Sequence, residues 1–513
     1  MKLRRPEGLA LCLAGLLPLL ANSALAQAES EPSSGGRSGL VIEPRLSLRE
    51  TLTDNLKFST QNKDAALVST LSPGIRLSSN SGRVRGSLDY ALNSVMYSRS
   101  QEPKQTQNQL SARGTVDLIE DWFTVDTRAS INQQSRSAFG TVSVDPSLPN
   151  PNQSEVYNLG ISPILRGSLP SILRYQLTAD ISETRAKNSS TGDLSNRGLS
   201  LQLGSLSPQT VLGWSAFLSK QRWKPDGGKA TDSSSVTGSL LYRPDPEWNF
   251  SLTAGRERNS FTTLSQQSGT TYGASAGWQP SPRTRLALDW SRHDYGNSHT
   301  LSFEHRMART VWRISDTQLA SPAGPQANGA RGLSNYDVFY SMFASREPDP
   351  AKRDILVRQF LSLLGMDPNT VAVAGFANST ATLTRRQEAS FALQGLRTTL
   401  TFLLNRNSSS RLDPVSAGQG DFADSNRIMV RGYTLNLAYR LTPTDSATVV
   451  LTDQQTRGDL ASQRSDLKSL IANWNARLGP SRNITLGLRH SRFDSPTQPY
   501  RENAVLATFV QQF

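Results

Sequence analysis

Residues 83–90 read Arg83-Val84-Arg85-Gly86-Ser87-Leu88-Asp89-Tyr90. In an extended chain Val84, Gly86, Leu88 and Tyr90 fall on one side, and Arg85, Ser87 and Asp89 on the other. One face is apolar and the other charged or hydroxylated, the signature of a strand with a single apolar side. The same period returns at residues 122–131, where Phe123, Val125, Thr127, Ala129 and Ile131 oppose Thr124, Asp126, Arg128 and Ser130. It returns at 173–181, with Leu173, Tyr175, Leu177, Ala179 and Ile181 against Arg174, Gln176, Thr178 and Asp180. Residues 248–254, 272–278, 286–290, 433–441, 470–478 and 484–488 repeat it.

Connections separate a soluble sandwich from a membrane barrel. Short segments rich in Pro, Asp, Asn, Ser and Gly occur at 78–82, 119–121, 166–171, 206–210, 244–247, 280–283, 442–446 and 479–482, as turn chemistry requires. Longer polar stretches alternate with them at 54–65, 98–108, 133–154, 183–196, 224–233, 259–270, 407–427, 453–466 and 494–501. Short turns at one end and long loops at the other describe an outer-membrane barrel. The expected fold is all-β: a large closed antiparallel transmembrane β-barrel of about 20–22 strands, spanning residues 40–513. In hydrocarbon every backbone donor and acceptor needs a partner within the protein, so a spanning sheet must close. Trp122, Tyr157, Trp214, Trp248, Trp278, Trp290, Tyr439 and Trp474 lie near segment ends, which suits interfacial aromatic girdles.

Composition agrees. The chain has 513 residues, with 19 % charged and 36 % hydrophobic, both low for a soluble globular protein. The longest apolar run is residues 9–21, and no later stretch approaches the ~20 residues of a transmembrane helix. Lys2, Arg4 and Arg5, then that run, then Ala24-Leu25-Ala26, read as a cleaved secretory signal over residues 1–26, followed by a polar spacer at 27–39. Cys12, the single cysteine, falls inside the signal, and Leu11 before it does not suit a lipoprotein site. The mature chain then has no thiol chemistry. Removing the signal takes the net charge from +13 to +11. The basic excess carries no nucleic-acid motif.

Residues 317–379 break the alternation and are expected to form a small helical insertion. Asp349 reads as an N-cap and Pro350 as the first helical residue. Ile355, Leu356, Phe360, Leu363 and Leu364 form the expected apolar face, and Gly365 ends the helix. Residues 335–344 suggest a second short helix packed on it. The insertion reads as a cap or plug covering its own apolar stripe, or as a docking site or gate. Its side of the membrane depends on residues 306–309. A tight turn there gives about 22 strands and an extracellular insertion; a bulge gives a periplasmic one.

No catalytic, cofactor or metal site emerges. His293, His299, His305 and His490 lack metal-ligand spacing, and the His293–Asp294 neighbours read as loop chemistry. What remains is electrostatic. The inferred inward face carries Arg85, Arg113, Arg128, Arg174, Arg285, Arg440 and Arg489, interleaved with Asp89, Asp117, Asp126, Asp180 and Asp289. These line a lumen that binds passing anions, or pair across strands and solvate the wall. Residues 502–513 alternate and close on Phe509 and Phe513, which resembles the C-terminal signal read by the barrel assembly machinery.

The run Ile42-Glu43-Pro44-Arg45-Leu46-Ser47-Leu48-Arg49-Glu50-Thr51-Leu52-Thr53-Asp54-Asn55, with Leu71-Ser72-Pro73-Gly74-Ile75, residues 305–312 and residues 383–400, resembles the outer-membrane barrels associated with the PEP-CTERM/exosortase sorting system. The resemblance implies a barrel encoded alongside exopolysaccharide synthesis and export, with no established activity or site residues. The expected role is a passive hydrated conduit for polysaccharide. The alternatives are an anion-preferring diffusion porin and a structural barrel that anchors surface proteins or glycan. Expected partners are outer-membrane lipid, the assembly machinery, exopolysaccharide and export proteins.

Overall fold

The computed structural model describes residues 39–513 apart from 99, 101, 170–171, 188, 206–210, 227–228, 264, 322–333, 369–374, 377, 379 and 413–419. The expected signal, nearly all of the spacer and the turn at 206–210 lie outside the described residues. The strands are β1 (Leu40–Thr53), β2 (Ala66–Asn80), β3 (Val84–Ser98), β4 (Gln105–Ile119), β5 (Phe123–Ser135), β6 (Gln153–Leu169), β7 (Leu173–Ala186), β8 (Ser189–Gly204), β9 (Leu212–Pro225), β10 (Thr231–Tyr242) and β11 (Trp248–Asn259). They continue as β12 (Gln267–Ser281), β13 (Thr284–His293), β14 (Gly296–Arg306), β15 (Thr310–Ser321), β16 (Thr382–Gln394), β17 (Thr398–Arg411), β18 (Arg427–Arg440), β19 (Asp445–Arg457), β20 (Arg464–Gly479), β21 (Arg482–Asp494) and β22 (Tyr500–Gln512).

Each strand pairs antiparallel with its sequence neighbours in one 22-stranded sheet. The sheet closes where β1 meets β22, from Arg45↔Gln512 to Thr53↔Ala504. Every described strand has a ladder partner on both sides, which is what a wall immersed in hydrocarbon requires. The alternation sorts cleanly between faces. Leu240, Leu252 and Leu488 stand 69 %, 67 % and 62 % exposed on the outside. Trp122, Trp214, Trp248, Trp290, Trp474 and Tyr439 share that outer face, exposed near strand ends.

The turn reading of residues 306–309 is correct. The Met307 N–H donates to the Thr310 carbonyl at 2.8 Å, closing a tight turn between β14 and β15. The count is therefore even, and both ends of the barrel chain lie at the short-turn rim (Leu40↔Ser79, Arg45↔Gln512). Several expected loops are instead strand. Residues 183–186 and 189–196 extend β7 and β8, leaving only 187–188 between them. The connection from β13 to β14 is equally short. Polar strand ends continue the ladder beyond the apolar belt because backbone pairing does not depend on side-chain polarity.

The insertion occupies residues 322–381, since residues 317–321 complete β15. It contains α1 (Asn335–Met342) and α2 (Pro350–Leu364). Ser334 caps α1 in a reciprocal box with Asp337. Asp349 accepts from the Lys352 N–H at 3.1 Å, and Gly365 ends α2 with φ +65°. The apolar face is rotated from the expected one, which lacked Val357 and Leu361. Ile355 is exposed, whereas Val357, Leu361 and Leu364 are buried with Val338, Phe339 and Met342.

The side question has a mixed answer. The insertion leaves the wall at the long-loop rim, but its helices fold back into the lumen. Asp354 pairs with Arg76, four residues from the short-turn end of β2, at 2.5 Å. The Ser341 carbonyl accepts from Arg306 at 3.3 Å, and Asn335 bonds to Asn436 at 3.2 Å. Its seat is apolar: Val311, Ala392, Leu403 and Ala438, all on the inner face, join the helices in one buried cluster. The insertion is a plug packed against β15–β19, rather than an external cap.

Candidate functional site: the lumen

Among the described residues, two bodies reach into the lumen. The first is the helical plug. Burial tends to raise the Asp354 carboxyl, but hydrogen bonding from the Tyr336 hydroxyl and the charges of Arg358 and Arg76 hold it below the usual carboxylate range. An ionised Asp354 therefore keeps α2 tied to the wall at neutral pH.

The second body is the connection at residues 136–152, between β5 and β6. It folds inward beneath the long-loop rim. Leu148 enters a cluster with Leu56, Phe58, Val68, Val95, Leu467, Phe493 and Tyr500. The Tyr97 hydroxyl donates to the Ser147 carbonyl at 2.8 Å, and the Tyr500 hydroxyl to the Val142 carbonyl at 2.6 Å. At its centre Arg489 binds Asp145 at 2.7 Å and Glu502 at 2.7 Å. The three side chains are 3 %, 1 % and 2 % exposed. Burial alone would raise Asp145; the charges of Arg489 and Arg49 reverse that and hold it below its ordinary value. On the far side of this segment, Asp421 accepts from the Ser137 hydroxyl at 2.7 Å and the Ala138 N–H at 2.6 Å. Burial pushes Asp421 upward, and these bonds offset part of that rise.

The seven arginines of the expected inner face fall into three groups. Arg85 pairs with Asp117 at 2.9 Å, and Arg128 with Asp180 at 2.8 Å. Arg174 donates to the Ser205 carbonyl at 3.2 Å and Arg440 to the Leu396 carbonyl. These solvate the wall. Arg489 is on the inner face but covered, so it clamps a loop instead of meeting a solute. Arg113 and Arg285 are exposed and, among the described residues, have no carboxylate within ion-pair reach. Arg113 stands directly opposite Arg128 on β5, concentrating positive potential at that level.

The sequence reading missed Arg45, which binds Asp89 at 2.5 Å across two strands, and missed Arg76. It also missed the plug seat. The signal was present: Phe391-Ala392-Leu393 and Phe402-Leu403-Leu404 are apolar on both faces, so something apolar must cover the inner side. His293, read as loop chemistry, forms a chain. Its Nε2 lies 2.9 Å from the Ser291 hydroxyl and its Nδ1 2.7 Å from Glu257. The Tyr295 ring stacks on the imidazole at 4.8 Å. Ser291 is flanked by Gly273 and Ser298 in the strand ladders. The chain braces the β13–β14 turn against β11.

A closed even-numbered antiparallel wall, apolar outside and polar inside, with short turns at one rim, is a transmembrane β-barrel of the outer-membrane type. The chain is similar in fold to solved outer-membrane proteins. Over 93 % of its length it aligns with 81 % of the siderophore receptor PirA from Acinetobacter baumannii, at 9 % identity and a TM-score of 0.47. The siderophore receptor PirA from Pseudomonas aeruginosa aligns over 93 % of this chain and 81 % of its own, at 11 % identity and a TM-score of 0.39. The outer membrane protein OpdK from Pseudomonas aeruginosa aligns over 92 % and 99 %, at 9 % identity and a TM-score of 0.34. No protein-family model and no curated protein sequence matches the chain.

Proposed function

We propose that the protein lies in the outer membrane and is a passive conduit in exopolysaccharide export, its lumen gated by the helical plug. The observation that carries the reading is the inner wall. Hydroxyls, amides and paired charges line it, and a sugar chain crossing an apolar slab needs such partners continuously. The resemblance of residues 42–55 and 71–75 to the exosortase-associated barrels supports a glycan as the solute. The plug, held by Arg76 and Asp354, supports a gated path over an open one. Phe509 and Phe513 are the residues through which the assembly machinery would recognise the last strand.

The test combines conductance and secretion. Purified protein in planar bilayers should show small or intermittent conductance that added exopolysaccharide blocks. Deleting the gene should stop glycan secretion while small-solute uptake continues. Steady ionic conductance indifferent to polysaccharide, with secretion intact in the deletion strain, would replace this reading with a diffusion porin. A silent channel whose loss strips proteins from the cell surface would replace it with a structural anchor.

A further inference from the structure

We propose that the outer face of β17, β18, β20, β21 and β22, at the long-loop rim, binds a lipid carrying phosphate on its headgroup. The sites already described face inward; this one faces the membrane. Arg406, Arg431, Lys468, Arg492 and Arg501 alternate in phase with the exposed apolar residues of their own strands. Leu404, Tyr433 and Leu470 each lie two residues further into the belt than Arg406, Arg431 and Lys468. Leu488 and Val505 lie four residues below Arg492 and Arg501. At about 3.4 Å per residue, the cations stand roughly 7–14 Å beyond the last lipid-facing apolar side chain. That is headgroup depth.

The arrangement is costly without an anion. Arg406 stands directly opposite Arg431, Lys468 opposite Arg492, and Arg492 opposite Arg501. Like charges directly opposite on neighbouring strands repel. The protein's own acids compensate only in part. Arg492 pairs with Asp494 at 2.8 Å, and Lys468 lies 3.6 Å from Asp453. Asp466 is taken by Arg457 at 2.8 Å. Arg431 bonds to the neutral Gln455. Arg406 and Arg501, both exposed, have no carboxylate within ion-pair reach among the described residues. Forked guanidinium groups match phosphate oxygens in pairs, and their apolar stems lie along the belt below. A lipid supplies both halves of the match: phosphate at the cations, acyl chains against the leucines. The inference requires an apolar belt facing lipid; it does not require that the lumen conduct.

The test compares the full chain with a variant carrying Arg406→Gln, Arg431→Gln, Lys468→Gln, Arg492→Gln and Arg501→Gln. Heat-modifiable gel mobility checks that both are folded. Native mass spectrometry in detergent measures binding of bis-phosphorylated lipid A, its dephosphorylated form and inorganic phosphate. The wild type should retain the phosphorylated lipid at least about tenfold better than the variant, and better than the dephosphorylated lipid. A second variant with the four arginines changed to Lys should bind better than the Gln variant but more weakly than the wild type, because the charge is kept and the guanidinium fork is lost. Arg113→Gln with Arg285→Gln, inside the lumen, should bind as the wild type does. Equal binding by wild type and the Gln variant, or indifference to the phosphates, overturns the proposal. So does full competition by inorganic phosphate, which would make this a site for the free anion. Charge-dependent binding of a soluble acidic polysaccharide in place of the lipid would overturn it as well.

Discussion

Arg489→Gln should open the mouth of the barrel. Arg489 is the cation that bridges Asp145 and Glu502, and all three side chains are almost wholly buried. Removing it leaves two buried carboxylates facing each other. Breaking such a group costs about 3–5 kcal/mol, and no solvent-screening discount applies at this burial. Glu502 cannot leave, because β22 is held in ladders on both sides and the Thr53 hydroxyl still donates to it at 2.9 Å. Asp145 can, because it sits on a connection. The cheapest relief is to expel residues 136–152 into water. A cost of that size corresponds to a shift of about two to three and a half orders of magnitude in the opening equilibrium. Hydrogen exchange of residues 141–148 should accelerate by about that factor, and bilayer conductance should rise. Adding Asp145→Asn should restore part of the protection, since the connection then carries no charge to be repelled by Glu502. The pH response has a defined sign. Wild-type Asp145 titrates below its unfolded value, so the clamp is complete above about pH 4 and is lost as pH falls through the lowered folded value. In the Arg489→Gln variant the repulsion between Asp145 and Glu502 exists only while both are ionised, so the connection should re-close as acid neutralises them. If Arg489→Gln leaves exchange and conductance unchanged, the buried charges do not hold this segment.

Three further outcomes follow from the same geometry. Arg76→Gln or Asp354→Asn should loosen the plug and raise conductance without lowering the melting temperature of the wall, because α2 contributes no ladder bonds. Gly365→Ala should destabilise the plug by at least about 1 kcal/mol, since φ +65° disfavours a Cβ and the new atom would strike the Asn475 side chain; limited proteolysis within 350–364 would register it. Leu252→Arg, on the lipid face, should cost about 2–4 kcal/mol if it lies near the bilayer midplane and depress the folded fraction on refolding into vesicles, whereas the lumen change Arg113→Gln should not.

Much of the wall was legible in the sequence for a local reason. Side-chain direction in a strand follows from the neighbour two residues away, so Val84 against Arg85, or Leu177 against Thr178, declares its face without knowledge of the partner strand. Pro, Asp and Gly at 244–247 or 280–283 mark turns by their own backbone preferences. Closure then follows, because an apolar outer surface tolerates no open edge. Helix α2 was readable too, since Asp349, Pro350 and Gly365 act within one turn of themselves.

The contents of the lumen were not legible. Asp145 meets Arg489 across 344 residues, and Arg76 meets Asp354 across 278. No period or spacing marks such pairs, because they depend on how a closed wall curves and on which connection is long enough to reach inward. The same curvature decided that Arg489 would be covered while Arg113 stays open to the lumen, although both occupy equivalent places in the alternation. The chain alone determined a barrel and the direction in which the side chains of its alternating strands face. Only the folded cylinder determined which of those side chains meet water, one another or the plug.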